Sequence, residues 1–215
     1  MDDFNLARAR ASKKRTRIQA ENEEKILDAA LDAFSTYGFR GATVDQIAER
    51  AGMSKPNLLY YFRRKQDLYT AVLQRTLDMW LTPLGEMNAD GDPADEIGRY
   101  IRQKLEQSRA HPQESRLFIG EIMQGAPLLD QVLKTELKEI VEEKAGVIRG
   151  WVKAGKLAPV EPVHLIFMIW ATTQHYADFD AQVSALLGSG LADDQVFSDA
   201  VETVTGVLLR GILPR

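Results

Sequence analysis

The chain has 215 residues, 45% of them hydrophobic and 27% charged, with no cysteine and a formal net charge of −4. That is enough apolar material for one sizeable core, or for a small domain beside a larger one. The lack of cysteine excludes a disulfide framework and thiolate metal sites. No apolar run approaches the ~20 residues a membrane helix needs, and the N-terminus lacks an apolar signal core, so a cytoplasmic protein with no membrane partner is expected.

The charge is unevenly spread. Residues 1–70 hold 13 Lys and Arg against 10 Asp and Glu, whereas residues 71–215 hold 14 against 21. What matters for a nucleic-acid partner is the local field of the first part, not the whole-chain pI of about 5.5. Arg8, Arg10, Lys13, Lys14, Arg15 and Arg17 make residues 1–20 a basic arm. Such an arm either stays solvated or runs along phosphates and into a minor groove, and the sequence leaves both open.

A first helix is expected over residues 23–37, where Ile26, Leu27, Ala30, Leu31 and Phe34 repeat at helical spacing and Gly38 ends the run. Phe39 is placed to plug a small core. Thr43 followed by Gln46 has the spacing of a capping box, opening a second helix whose apolar face is Val44, Ile47, Ala48 and Ala51. Gly52 supplies the turn. Ser54 is a good cap for a third helix with Pro56 in its first turn, although a proline disfavours helical angles in the residue before it, which leaves Lys55 as the other candidate. Leu58, Tyr61 and Phe62 anchor that helix, while Lys55, Asn57, Tyr60 and Arg64 project outward. The pattern is a helix-turn-helix with a second helix sized for the major groove. A helical hairpin with a solvated basic face would share most of it.

A fourth helix starts near Lys65, carries Leu68, Val72, Leu73, Leu77 and Leu81, and weakens at Pro83 and Gly85. After a loop over residues 88–93, further helices are expected at 93–110, 113–124, 128–154, 163–187 and 193–213. The fold class is therefore all-α with about nine helices. On the helix-turn-helix reading, a three-helix DNA-binding domain over residues 21–66 precedes a larger helical domain over 67–215. The last two helices carry surplus apolar residues, among them Val201, Val204, Val207, Leu208 and Ile212. Two such helices either build a two-fold four-helix interface in a homodimer or pack on their own domain.

Trp170, Gln174 and Asp178 recur every four residues and share a helix face. A lone Trp such as Trp80 is usually core filling. A Gln and an Asp on a Trp stripe need polar partners, which a small flat polar ligand would supply. His175 with Asp178 also has the spacing of a metal pair or of a base with its orienting carboxylate. No third ligand shares that face, His164 lies on another, and no phosphate loop, nucleophile elbow or zinc-protease motif occurs. No enzyme activity, metal or cofactor is expected.

The span AFSTYGFRGATVDQIAERAGMSKPNLLYYFRRKQDL, residues 33–68, resembles the TetR family of transcriptional regulators. That resemblance implies a ligand-responsive repressor that binds palindromic double-stranded operator DNA as a homodimer. Thr43 at a helix N-terminus, with Tyr61 and Lys65, is then expected to hold phosphates. Ser54, Lys55, Pro56, Asn57 and Tyr60 are expected to meet base edges. Many members of the family have Tyr where this chain has Leu59, so that contact is lost or replaced. The blocks DMWLTPL (78–84) and GKLAPVEPVHLIFMIWATTQHYADFDAQV (155–183) further resemble the pyrimidine-utilisation regulators within that family. That implies uracil or thymine as effector, with Trp80 and Trp170 as walls, Gln174 pairing with the imide edge, and Phe118 and Asp178 close to the ligand. A TetR-type regulator with another small-molecule effector is the alternative.

Overall fold

The computed structural model describes residues 17–214, and among these every regular element is helical. The chain separates into two compact units, one ending at Val72 and the other starting at Leu73. No helix among the described residues is long and apolar enough to cross a membrane.

In the first unit, α1 (Arg17–Gly41) is interrupted at Gly38, whose φ of 69° and ψ of 171° only glycine adopts readily. The helix proper therefore ends where the sequence predicts. It begins earlier, because Arg17 joins the first turn and pairs with Glu21 at 2.7 Å. Arg8, Arg10, Lys13, Lys14 and Arg15 of the basic arm lie outside the described residues. Next come α2 (Val44–Arg50), α3 (Lys55–Tyr61) and the start of α4 (Lys65–Gly85). Ile26, Ala30 and Phe34 of α1 are buried, as are Ile47 of α2, Leu58 of α3 and Leu68 of α4. Phe39 is half-buried and packs on Tyr69, with ring centroids 4.9 Å apart.

The second unit holds the rest of α4, then α5 (Pro93–Ala110), α6 (Pro112–Met123), α7 (Asp130–Val132), a π-helical turn (Leu133–Leu137), α8 (Lys138–Lys153), α9 (Pro162–Asp178), α10 (Asp180–Leu187) and α11 (Asp194–Ile212). Two runs expected to be single helices are thus divided. The π turn interrupts residues 128–154, and at Phe179 (φ −116°, ψ 33°) the chain changes direction while its carbonyl accepts from the N–H groups of Gln182 and Val183. The central element is α5, packed against both α9 and α11. Its inward stripe runs through Ile97, Tyr100, Ile101, Lys104, Leu105 and Ser108.

The expectation for α11 needs correcting. Val201, Val204, Leu208 and Ile212 are buried in their own unit, because this three- and four-residue spacing forms the stripe that faces α5. Of the five residues read as interface material, Val207 alone is exposed. The exposed large apolar residues of the last helices are instead Val207 of α11, Phe167 and Met168 of α9, Phe179 just after it, and Leu186 and Leu187 of α10, while Met123 of α6 is exposed as well.

Pro83 does not end α4, which continues to Gly85. A proline cannot donate to the carbonyl four residues before it, here Met79. The side-chain amide of Gln107 on α5 donates to that carbonyl instead, at 2.7 Å. This bond supplies the missing donor and joins α4 to α5 a few residues from Trp80.

Candidate functional site

Two sets of residues are candidates for carrying the chemistry, one in each unit. In the first, local hydrogen bonds set the helix-turn-helix. The Gln46 N–H donates to Thr43 Oγ1 at 3.2 Å and the Thr43 N–H to Gln46 Oε1 at 2.9 Å, a complete capping box. Gly52 turns the chain at φ 66°, and the Met53 N–H reaches back to the Ala48 carbonyl. The cap of α3 is Ser54, whose hydroxyl accepts from the Asn57 N–H, and not Lys55. With Leu58 buried, Ser54, Lys55, Pro56, Asn57 and Tyr60 are all exposed on one short helix and its cap. Leu59 is half-buried, so the apolar residue at that position packs rather than projects.

Charge on this surface is largely paired. Lys55 Nζ lies 2.9 Å from Asp45 Oδ2, and Arg50 meets Asp32 at 2.8 Å. Arg64 meets Asp67 at 2.6 Å, and that guanidinium holds the Asp67 carboxyl below its usual range. Of the expected phosphate contacts, Thr43 is exposed at the start of α2. Tyr61 is half-buried, its hydroxyl accepting from Asn22 Nδ2 at 3.1 Å. Lys65 has another occupation. Its ammonium donates to the carbonyls of Phe39 at 2.6 Å and Ala42 at 2.9 Å and lies 4.7 Å from the Phe39 ring centroid. The break at Gly38 leaves carbonyls without helical partners, and Lys65 gathers them. Sequence reasoning missed this clasp and the acidic partners. Asp45 carried a signal, since an acidic residue in a first helical turn is placed to meet a basic residue at the start of the next helix.

In the second unit a cavity of about 310 Å³ collects Trp80 of α4, Lys104 of α5, Phe118 of α6, Leu133 and Leu137 of the π turn, and Trp170 and Gln174 of α9. That volume suits a small molecule and lies at the low end for ligand sites. Trp80 and Phe118 meet edge to face with centroids 5.1 Å apart. Trp170 donates its indole N–H to the Tyr100 hydroxyl at 2.6 Å, which fixes the ring, and burial pushes the Tyr100 hydroxyl up so that it stays protonated. The Gln174 amide, half-buried on the lining, has no hydrogen-bond partner among the described residues.

Four of the five expected ligand residues, Trp80, Phe118, Trp170 and Gln174, therefore come together. Asp178 is not in the lining. It accepts from Ser115 Oγ, and burial pushes its carboxyl up. His175 stacks on Phe179 with centroids 4.9 Å apart, and among the described residues no group of three or more acidic, His or Cys side chains could hold a metal.

The residue missed here is Lys104. It is 2% exposed, and its ammonium lies 4.6 Å from the Trp80 ring centroid. Burial lowers its pKa to about 7, with the charge of Asp178 pulling the other way.

Both units match known families. Residues 26–72 match the pattern of "Bacterial regulatory proteins, tetR family", and residues 73–215 that of "YcdC-like protein, C-terminal region". The chain is 54% identical over 202 residues to the HTH-type transcriptional regulator RutR of Escherichia coli K12, covering 94% of this chain and 95% of the relative. Among solved structures it resembles the transcriptional regulator SCO4942 of Streptomyces coelicolor, with a TM-score of 0.70, 24% identity, and 88% and 97% of the two chains covered. It also resembles the ketosteroid regulator KstR2 of Mycobacterium tuberculosis, with a TM-score of 0.68, 17% identity, and 90% and 95% covered. At those identities the two structures speak for the fold alone.

Proposed function

The chain belongs to the TetR family of transcriptional regulators, and from that premise we propose that it is a repressor released from its operator by a small planar pyrimidine, uracil or thymine. It is a DNA-binding regulator and not an enzyme. One observation carries the effector reading. Trp80 of α4 and the Trp170–Gln174 pair of α9, far apart in sequence from each other, line one small cavity in which the Gln174 amide has no partner among the described residues. A primary amide pairs with an adjacent N–H and C=O on a flat ring, and indoles pack against such a ring. The cavity volume argues against a long lipid chain. The similarity to RutR covers 94% of the chain, which supports carrying that relative's kind of regulation over to this one.

On this reading a homodimer sets two copies of α3 on the halves of a near-palindrome. Ser54, Lys55, Pro56, Asn57 and Tyr60 meet the bases, while Thr43 and Tyr61 meet phosphates. The interface is drawn from the exposed apolar residues Phe167, Met168, Leu186, Leu187 and Val207. Release requires only that the pyrimidine prefer a conformation that binds operator less well, a few kcal/mol of differential affinity being enough.

The test is an anisotropy titration of the operator complex with uracil and thymine. Gln174→Ala leaves the ring edge unpaired, and its ligand affinity should fall by about 1–3 kcal/mol while operator binding is retained. Equal release of parent and variant would remove Gln174 from the site. If neither pyrimidine releases the parent, the effector is another small molecule.

A further inference from the structure

We infer, on the pyrimidine reading above, that Lys104 is the charged recognition group of the cavity: its ammonium binds the carbonyl oxygen that Gln174 leaves free, so the site favours the ionised form of a cyclic imide.

An ammonium has three donors and is satisfied only by acceptors. Lys104 is 2% exposed, lies on the cavity lining, and has no hydrogen-bond acceptor among the described residues. Its neighbours are the Trp80 ring, which attracts a cation without accepting a conventional hydrogen bond, and the field of Asp178. Asp178 is the one charged group that acts on it, and is itself hydrogen-bonded to Ser115 and under the influence of His175 and Arg116. A buried donor left in this state is costly until a ligand supplies the acceptor.

The ligand's chemistry fits what is missing. A uracil-type imide presents an N–H flanked by two carbonyls. The Gln174 amide engages the N–H and one carbonyl, or an oxygen alone once the ring has ionised. The other carbonyl remains, and Lys104 is the one cationic side chain on the lining. Losing the imide proton spreads negative charge over both oxygens, and a hydrogen bond between two charged partners is about twice as strong as a neutral one. Rings that ionise more readily should therefore bind more tightly.

The experiment is calorimetric titration of the full chain near neutral pH with uracil, 5-fluorouracil and 6-azauracil. These rings are nearly the same size and increasingly acidic in that order. In the parent, affinity should rise along the series, by roughly tenfold or more from first to last. In Lys104→Met, of similar length and apolar, the dependence on acidity should vanish while operator binding persists. If the parent binds all three equally or in the reverse order, or if the variant keeps the parent's order, the role of Lys104 is overturned and the pyrimidine reading survives. If none of the three binds the parent, the pyrimidine reading itself falls and this inference with it. Should Lys104→Met fail to fold, the order measured on the parent decides alone.

Discussion

In the first unit the residues proposed to meet DNA follow one another along α3 and its cap, from Ser54 to Tyr60, and each is held by a bond to a near neighbour or left open to solvent. In the second, the cavity draws Trp80, Lys104, Phe118, Trp170 and Gln174 from four helices, and their relation exists only once those helices pack. The difference also shows in charge. At the proposed reading surface Arg50, Lys55 and Arg64 pair with Asp32, Asp45 and Asp67. In the cavity one cation is buried without a hydrogen-bond acceptor. A charge that is expendable on a wet surface becomes decisive in a dry one, because water no longer screens or solvates it.

The contrast breaks most visibly if a new charge is forced into the dry unit. Val204 is buried against α5, so Val204→Asp should cost about 3 kcal/mol or more. Urea denaturation should show loss of the second unit, and an unchanged midpoint would put Val204 on the surface after all.

The next largest effect lies in the first unit, at Lys65, which holds backbone carbonyls. Lys65→Met abandons the carbonyls of Phe39 and Ala42 and should cost about 2 kcal/mol. Operator binding should then fail at a lower temperature than in the parent while its salt slope at low temperature changes little. A slope reduced by about one unit in a fully stable variant would return Lys65 to the phosphate contacts.

A third test follows proton linkage. Lys104 titrates near pH 7 in the folded chain and near 10.4 once unfolded, so between these values the unfolded state binds the extra proton and stability rises with pH. From pH 7 to 9 the parent should gain about 1–2 kcal/mol more than Lys104→Met does. Parallel pH profiles would mean that Lys104 keeps its charge in the fold.

The smallest effect sharpens the other side. Asp45→Asn breaks an exposed pair and should change stability by about 0.5 kcal/mol or less. It should nonetheless tighten operator binding at low salt, since Lys55 is released and a repelling charge removed. Unaltered binding would mean that Lys55 does not face the operator.

What could be read from the sequence follows the same division. Thr43–Gln46, Gly52 and Ser54 act over three or four residues, so their spacing is nearly their structure. Trp170 and Gln174 were visible as one helical face, and the resemblance joined them to Trp80 and Phe118. Lys104 was hidden by its neighbours, because Arg102-Gln103-Lys104 reads as a solvated stretch. Its register told otherwise, since it falls on the stripe of Ile97, Tyr100 and Ile101. Val204 misled for the opposite reason. Surplus apolar character says that a face is covered but not by which partner, and α5 was the cover. The Lys65 clasp depends on carbonyls freed at Gly38, which side-chain patterns do not encode.

A π turn carries one residue more than the α-turn it replaces, and so marks a place where a helix can take in an insertion without rotating the stretches on either side. Leu133–Leu137 is such a place, and two of its residues form part of the cavity wall. Losing one exposed residue there, such as Lys134, would return the run to α-helix while Val141, Ala145 and Ile148 of α8 keep their seats in the core. The outline of the cavity is thus open to revision by a single codon gained or lost, leaving the helices behind it undisturbed.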